Sequence, residues 1–135
     1  MNPFVWKVRV YWEDTDAGGV VYHSRYLNFF ERARTEWLRS LGVHQAKLAE
    51  DENVVFAIRH MDIDFAQAAR LDDELDITVH TVDAGGVRLT FEQGMTRCSD
   101  RQQVASAKLT AVCLTADSFK PTRMPKWIRA KIESC

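Results

Sequence analysis

A short acidic stretch near the N-terminus has the residue types that chemistry at a carbonyl carbon needs. Asp14 and Asp16 stand in a polar segment that ends in Gly18 and Gly19, and His23 follows at the start of a predicted helix. A carboxylate can activate water or attack a carbonyl itself, and unpaired N–H groups in a first helical turn stabilise developing negative charge. A plain strand-to-helix connection with solvated aspartates has the same composition, so the residues alone leave both interpretations open.

The element that must position this stretch is a long amphipathic helix, predicted over about residues 24–41. Its apolar residues recur at helical spacing, while most of its charged residues fall on the other side. Ser24 is the predicted N-cap and Gly42 the predicted C′ residue. The residues that define the apolar face are Tyr26, Phe30, Ala33, Trp37 and Leu41.

The remaining pattern predicts strands. Residues 8–12 form an early β-rich run, residues 43–51 suggest a short second helix, and after Asn53 the apolar period becomes two. The apolar residues change from even to odd positions near Arg59 and His60, which predicts a β-bulge there. Turns are predicted at residues 83–86 and 99–102, and a short terminal helix within 120–135. One domain over residues 1–135, of the α+β class with an antiparallel sheet packed on the long helix, is therefore expected.

Composition excludes several classes of protein and site. The net charge of −1 gives no global basic field for nucleic acid, and no apolar run approaches the roughly 18 residues that span a bilayer. Three widely spaced cysteines and an N-terminus without an apolar signal region favour the cytoplasm. Serine-hydrolase, zinc-protease and nucleotide-binding motifs are absent. His60, Asp62 and Asp64 share a predicted strand face, but a solvated face or a subunit contact is favoured over a metal site there, and no metal is expected.

The segment Glu13–His23, with Tyr26 and Glu31–Arg34, resembles the signature of hotdog-fold acyl-CoA thioesterases of the 4-hydroxybenzoyl-CoA thioesterase-like family. The branch it resembles most is the bacterial thioesterase encoded with the Tol-Pal envelope genes. The likeness covers nearly the whole chain, including residues 69–73 and Met124–Pro125. It implies a five-stranded antiparallel sheet wrapped around one long helix, and hydrolysis of an acyl-CoA thioester.

The resemblance also implies roles for single residues. Asp16 matches the family's essential carboxylate, as general base or as nucleophile, and both roles stay open. His23 matches the position whose backbone N–H points at the thioester carbonyl, and its side chain is implicated as well. Tyr22 and Trp12 are expected to contact the substrate. Trp12 departs from the tyrosine that is frequent in that branch, so no phenol hydroxyl acts there.

No cofactor is implied, and the implied assembly is a homotetramer built from dimers with active sites at the dimer interface. Arg88 is the first candidate for binding CoA phosphates and Arg59 the second. An acyl carrier protein thioester is an alternative substrate. Two other functions remain open: a hotdog dehydratase or hydratase of acyl thioesters, and a non-catalytic adaptor in lipid or envelope assembly.

Overall fold

A computed structural model of the chain describes residues 3–134. Five antiparallel strands form one sheet in the order β1-β3-β4-β5-β2, so β1 and β2 lie at its two edges. No helix among residues 3–134 has the length and hydropathy that crossing a membrane requires. The strands are β1 (Phe4–Arg9), β2 (Val54–Phe65), β3 (Glu74–Ala84), β4 (Arg88–Arg97) and β5 (Gln103–Thr115), and the helices are α1 (His23–Ser40), α2 (Gln45–Glu52) and α3 (Lys126–Glu133).

The long helix α1 packs on one face of the sheet through its apolar side. Phe29, Phe30 and Ala33 are fully buried, and the Trp37 ring lies 6.2 Å from the ring of Phe91 on β4. The opposing face of β5 carries small residues at alternate positions, which leaves room for the helix aromatics. Burial of each large apolar side chain contributes about 1.5–3 kcal/mol, so this interface fixes α1 firmly on the sheet. The buried residues of β5 on that face are Ala105, Ala107, Leu109, Ala111 and Cys113.

Several predictions of local structure are confirmed. The register of β2 against β5 shifts between Ile58 and His60, which is the predicted bulge. Gly42 follows the end of α1 with a φ of +85°, a left-handed conformation that glycine adopts at no steric cost. Turns connect β3 to β4 and β4 to β5 at the predicted places, and the terminal helix is α3.

Two predictions near the site are wrong. The predicted early strand includes Trp12, but β1 ends at Arg9 and Trp12 begins a short 3-10 helix, Trp12–Asp14. Ser24 is the predicted N-cap, but α1 begins at His23 and its N-cap is Tyr22. The bond from the Tyr22 N–H to the Asp14 carbonyl, 2.9 Å long, holds Tyr22 in extended backbone directly before the helix, so the N-cap lies two residues before the predicted one.

Candidate active site

Asp16 lies at the tip of a small hairpin that precedes α1. Thr15 bridges Val21 in antiparallel fashion, and the Asp16 N–H donates to the Val20 carbonyl at 2.9 Å. The Asp16 Oδ1 accepts the Gly18 N–H at 2.8 Å, while Oδ2 has no hydrogen-bond partner among residues 3–134. The side chain is exposed. The hairpin therefore holds one carboxylate oxygen in place and leaves the other available.

Two glycines make this turn feasible. A Cβ on Gly18 would lie 3.2 Å from the Asp16 Oδ1, close enough to push the carboxylate out of its position. Gly19 has a φ of +78°, which side chains other than glycine rarely adopt. Gly19 therefore suits the loop through its positive φ, and Gly18 through the room it leaves for the Asp16 carboxylate.

The helix start presents the second component of the site. His23 is the first residue of α1, and no group in the described part of the chain accepts its backbone N–H. The N-cap residue Tyr22 contributes no side-chain cap. Its ring lies 4.3 Å from the His23 ring, and both side chains are exposed. A free N–H at the positive end of an 18-residue helix is suited to a carbonyl oxygen or an oxyanion.

Contacts from the segment between β2 and β3 hold the hairpin. The Val21 N–H donates to the Ala69 carbonyl at 2.8 Å, and the Ala69 N–H donates to the Tyr26 hydroxyl oxygen at 3.0 Å. Val20 bridges Arg70. These bonds tie the loop and the first turns of α1 to the same short segment, and so fix Asp16 relative to the helix start.

The other predicted binding residues lie outside this hairpin. Trp12 is in the preceding 3-10 helix and is 77% exposed, so its indole is free to meet a ligand or another subunit. Arg88 begins β4, beside the turn in which the Gly85 N–H donates to its carbonyl, and Arg59 lies at the bulge of β2. Both arginines are exposed, and among residues 3–134 no ion pair or hydrogen bond joins their side chains to the hairpin.

Sequence reasoning missed the buried polar residues of this region. The sequence left a solvated Asp14 open as one of two interpretations, whereas this residue is only 3% exposed. Arg34 lies half-buried, with its Nη1 donating to the Oε1 of buried Gln93 at 3.0 Å, and burial lowers the pKa of Arg34. Arg34 follows Phe30 by four residues and precedes Trp37 by three, so helical spacing alone could have placed it on the apolar face.

Metal ligation finds no support in the geometry. His60 and Asp62 form an exposed pair on β2, with 3.3 Å between Nε2 and Oδ2. Across residues 3–134 no three His, Cys, Asp or Glu side chains come together as a set of metal ligands.

Comparison with known proteins identifies related chains. The model of the thioesterase-like superfamily matches residues 10–132. The acyl-CoA thioesterase YbgC of Haemophilus influenzae is 43% identical over 129 residues, which are 96% of this chain and 93% of that protein. A probable thioesterase from Bartonella henselae is 37% identical with a TM-score of 0.85, covering 92% of this chain and 100% of that one.

A further solved structure shares the fold alone. A 1,4-dihydroxy-2-naphthoyl-CoA thioesterase from Synechocystis superposes with a TM-score of 0.89 at 24% identity, covering 97% of this chain and 96% of that one. Together with the strand order, these similarities confirm the predicted hotdog fold, with its sheet wrapped around α1.

Proposed function

The chain belongs to the thioesterase-like superfamily, and we propose that it hydrolyses acyl-CoA thioesters to a carboxylic acid and free CoA, with Asp16 supplying or activating the attacking oxygen. The observation that carries this proposal is the pairing of two groups on one hairpin-helix unit. These are a carboxylate with a free oxygen at Asp16 and an unpaired N–H at His23.

Asp16 acts in one of two ways. As a general base its free Oδ2 takes a proton from water, whose oxygen attacks the thioester carbonyl. As a nucleophile the same oxygen attacks directly, giving a mixed anhydride that water then hydrolyses. The bond from the Gly18 N–H to Oδ1 orients the carboxylate for either route.

The start of α1 stabilises the charge that develops on the carbonyl oxygen. The His23 N–H polarises the thioester carbonyl, aided by the partial positive charge of the helix end. The exposed His23 imidazole orients water or protonates the leaving thiolate.

The assembly proposed here is a homotetramer built from dimers that meet at β2. Strand β2 has one side unpaired within residues 3–134, and its Ile58 and Phe65 are 43% and 50% exposed. The Phe65 ring packs edge-on against Tyr26 of α1 at 5.2 Å, so this edge adjoins the hairpin-helix unit. A second subunit at this edge would cover the exposed aromatic side chains and close the site from water.

Finer features of the function follow from the family resemblance. Tyr22 and Trp12 contact the substrate, and Arg88, with Arg59 second, contacts the CoA phosphates. An acyl carrier protein thioester is the alternative substrate. The protein works in the cytoplasm and is associated with the Tol-Pal system.

Measuring thiol release from a panel of acyl-CoA thioesters tests the proposal. The panel runs from short to long acyl chains and includes an aromatic acyl group. A parallel assay follows hydration of an enoyl-CoA, the reaction of the alternative dehydratase or hydratase. We expect thiol release from at least one thioester with turnover far above the uncatalysed rate and no hydration. Hydration without thiol release would establish the alternative enzyme, and failure of both reactions would leave the adaptor as the function.

A further inference from the structure

A buried carboxylate that the proposed chemistry does not use lies between the two components of the site. Asp14 is 3% exposed, and Gln93, far from the hairpin in sequence, is the one other buried polar or charged residue within 3–134. Burying an ionised carboxylate is costly unless hydrogen bonds and a counter-charge offset the loss of water. The contacts of Asp14 indicate the structural role of this buried carboxylate.

Both the side chain and the backbone of Asp14 accept hydrogen bonds from neighbouring segments. Its Oδ2 accepts the Tyr11 N–H at 2.8 Å, which closes the 3-10 helix that leads into the hairpin. Its carbonyl oxygen accepts the Tyr22 N–H at 2.9 Å, directly before His23. The residue therefore fixes the base of the hairpin on both strands, two residues before Asp16 and, through Tyr22, one residue before the helix start.

The remaining carboxylate oxygen faces the first turn of α1. Asp14 Oδ1 lies 3.9 Å from Nε of Arg25, whose side chain is 33% exposed. A negative charge beside a helix N-terminus weakens its attraction for an oxyanion, and a cation at this distance offsets that charge. Arg25 thus keeps the helix start available for a developing negative charge.

From these contacts we infer that Asp14, paired with Arg25, is a positioning residue that sets the distance between the Asp16 carboxylate and the His23 N–H. The inference rests on the proposed hydrolysis, and Asp14 itself touches no substrate atom. Because a misplacement of about 1 Å can cost about 100-fold in rate, the signature of this role is a loss of kcat with little change in KM.

The experiment measures kcat and KM for thiol release in D14A, D14N and D100A. The asparagine of D14N keeps an oxygen that accepts the Tyr11 N–H, whereas the alanine of D14A removes it. Asp100 is the matched control, because it also accepts a backbone N–H, from Gln102 at 3.1 Å, and pairs with an arginine, Arg97 at 2.8 Å, but on an exposed turn. We expect the kcat of D14A to be about 100-fold below that of the wild type. The kcat of D14N should be at least about tenfold higher than that of D14A. D100A should match the wild type.

A double variant separates positioning from general damage to the fold. If Asp14 acts through the geometry of Asp16, then D14A should cost little further activity in a D16N background, because residues that act as a unit are not additive. Circular dichroism and the melting temperature establish that each variant is folded at the assay temperature. If D14A does not fold, the kcat and KM of D14N test the inference. Wild-type kcat in D14N and D14A, or equal losses in the two, would overturn the inference. Full activity in D16N would instead overturn the proposed function.

Discussion

At the scale of single residues, the proposed site separates the carboxylate that would react from the amide that would bind the thioester carbonyl. Asp16 keeps one oxygen free at a turn, and His23 keeps its N–H free at the helix start. The proposal gives the His23 imidazole a second role, and substitutions can address the backbone N–H and the side chain independently.

Replacing His23 by proline tests the backbone N–H. Proline fits the first position of a helix, where the N–H has no partner within the helix. The preceding Tyr22 has φ −66° and ψ 139°, a conformation that residues before proline prefer. We expect H23P to lower kcat about 10²–10³-fold, the usual cost of losing one oxyanion donor.

His23→Ala is the control for that measurement, because it removes the imidazole and retains the N–H. H23A should therefore retain more activity than H23P by about tenfold or more. Equal kcat values in the two variants would mean that the side chain, and not the amide, is the group that matters at this position.

At the scale of elements, the sequence predicts those features that depend on neighbours along the chain. The reversal of apolar phase near Arg59 indicates the bulge, and Gly42 indicates the end of α1. The hairpin around Asp16 could not be predicted, because its pairing depends on Ala69 and Arg70, which approach only in the folded chain. The burial of Asp14 escaped prediction for the same reason. The roles of Asp16 and His23 are implied by the family resemblance alone, because composition leaves them undecided.

A charged cluster on the outer face links β1 to β3, and its effect on stability depends on pH. Lys7 and Arg101 donate to the two carboxylate oxygens of Asp76, each at 3.0 Å. Burial acts to raise the pKa of Asp76, but the hydrogen bonds from Lys7, Arg101 and Cys98 outweigh it and lower the pKa below the ordinary value.

Asp76→Asn should therefore destabilise the protein at neutral pH and much less in acid. A carboxyl group whose pKa is lower in the folded state adds stability above its unfolded pKa of about 3.9, and that stability is lost as the pH falls through the folded pKa. The free energy of unfolding, measured by urea titration at several pH values, should show the gap between wild type and D76N closing below about pH 4. A gap that is constant with pH would show that packing, rather than charge, accounts for the loss.

At the scale of the whole molecule, we propose that a second subunit completes the site. Asp16, Tyr22 and His23 are exposed in the single chain, and the aromatic Trp12 and Phe65 are exposed as well. A dimer at β2 would cover this region, whereas β1 lies at the opposite edge of the sheet.

Placing a lysine on each edge in turn tests this assembly. Ile58 on β2 and Val5 on β1 are 43% and 49% exposed, which makes I58K and V5K a matched pair. We expect I58K to shift the protein to smaller species by light scattering and to lose activity, because a buried charge is costly in an interface core. V5K should keep dimers and activity. Loss of dimers in V5K but not in I58K would move the interface to β1 and contradict the proposed assembly.

The central claim is that the Asp16 carboxylate carries the hydrolysis, and the turnover of Asp16→Asn tests it most directly. Asparagine retains an oxygen that accepts the Gly18 N–H, so the turn is preserved while the base or nucleophile is lost. With an acyl-CoA that the wild type hydrolyses, and with the oligomeric state unchanged, thiol release by D16N should show kcat reduced by about 10²–10⁴-fold. A kcat within about threefold of the wild type, a change too small for loss of a catalytic base, would contradict the claim.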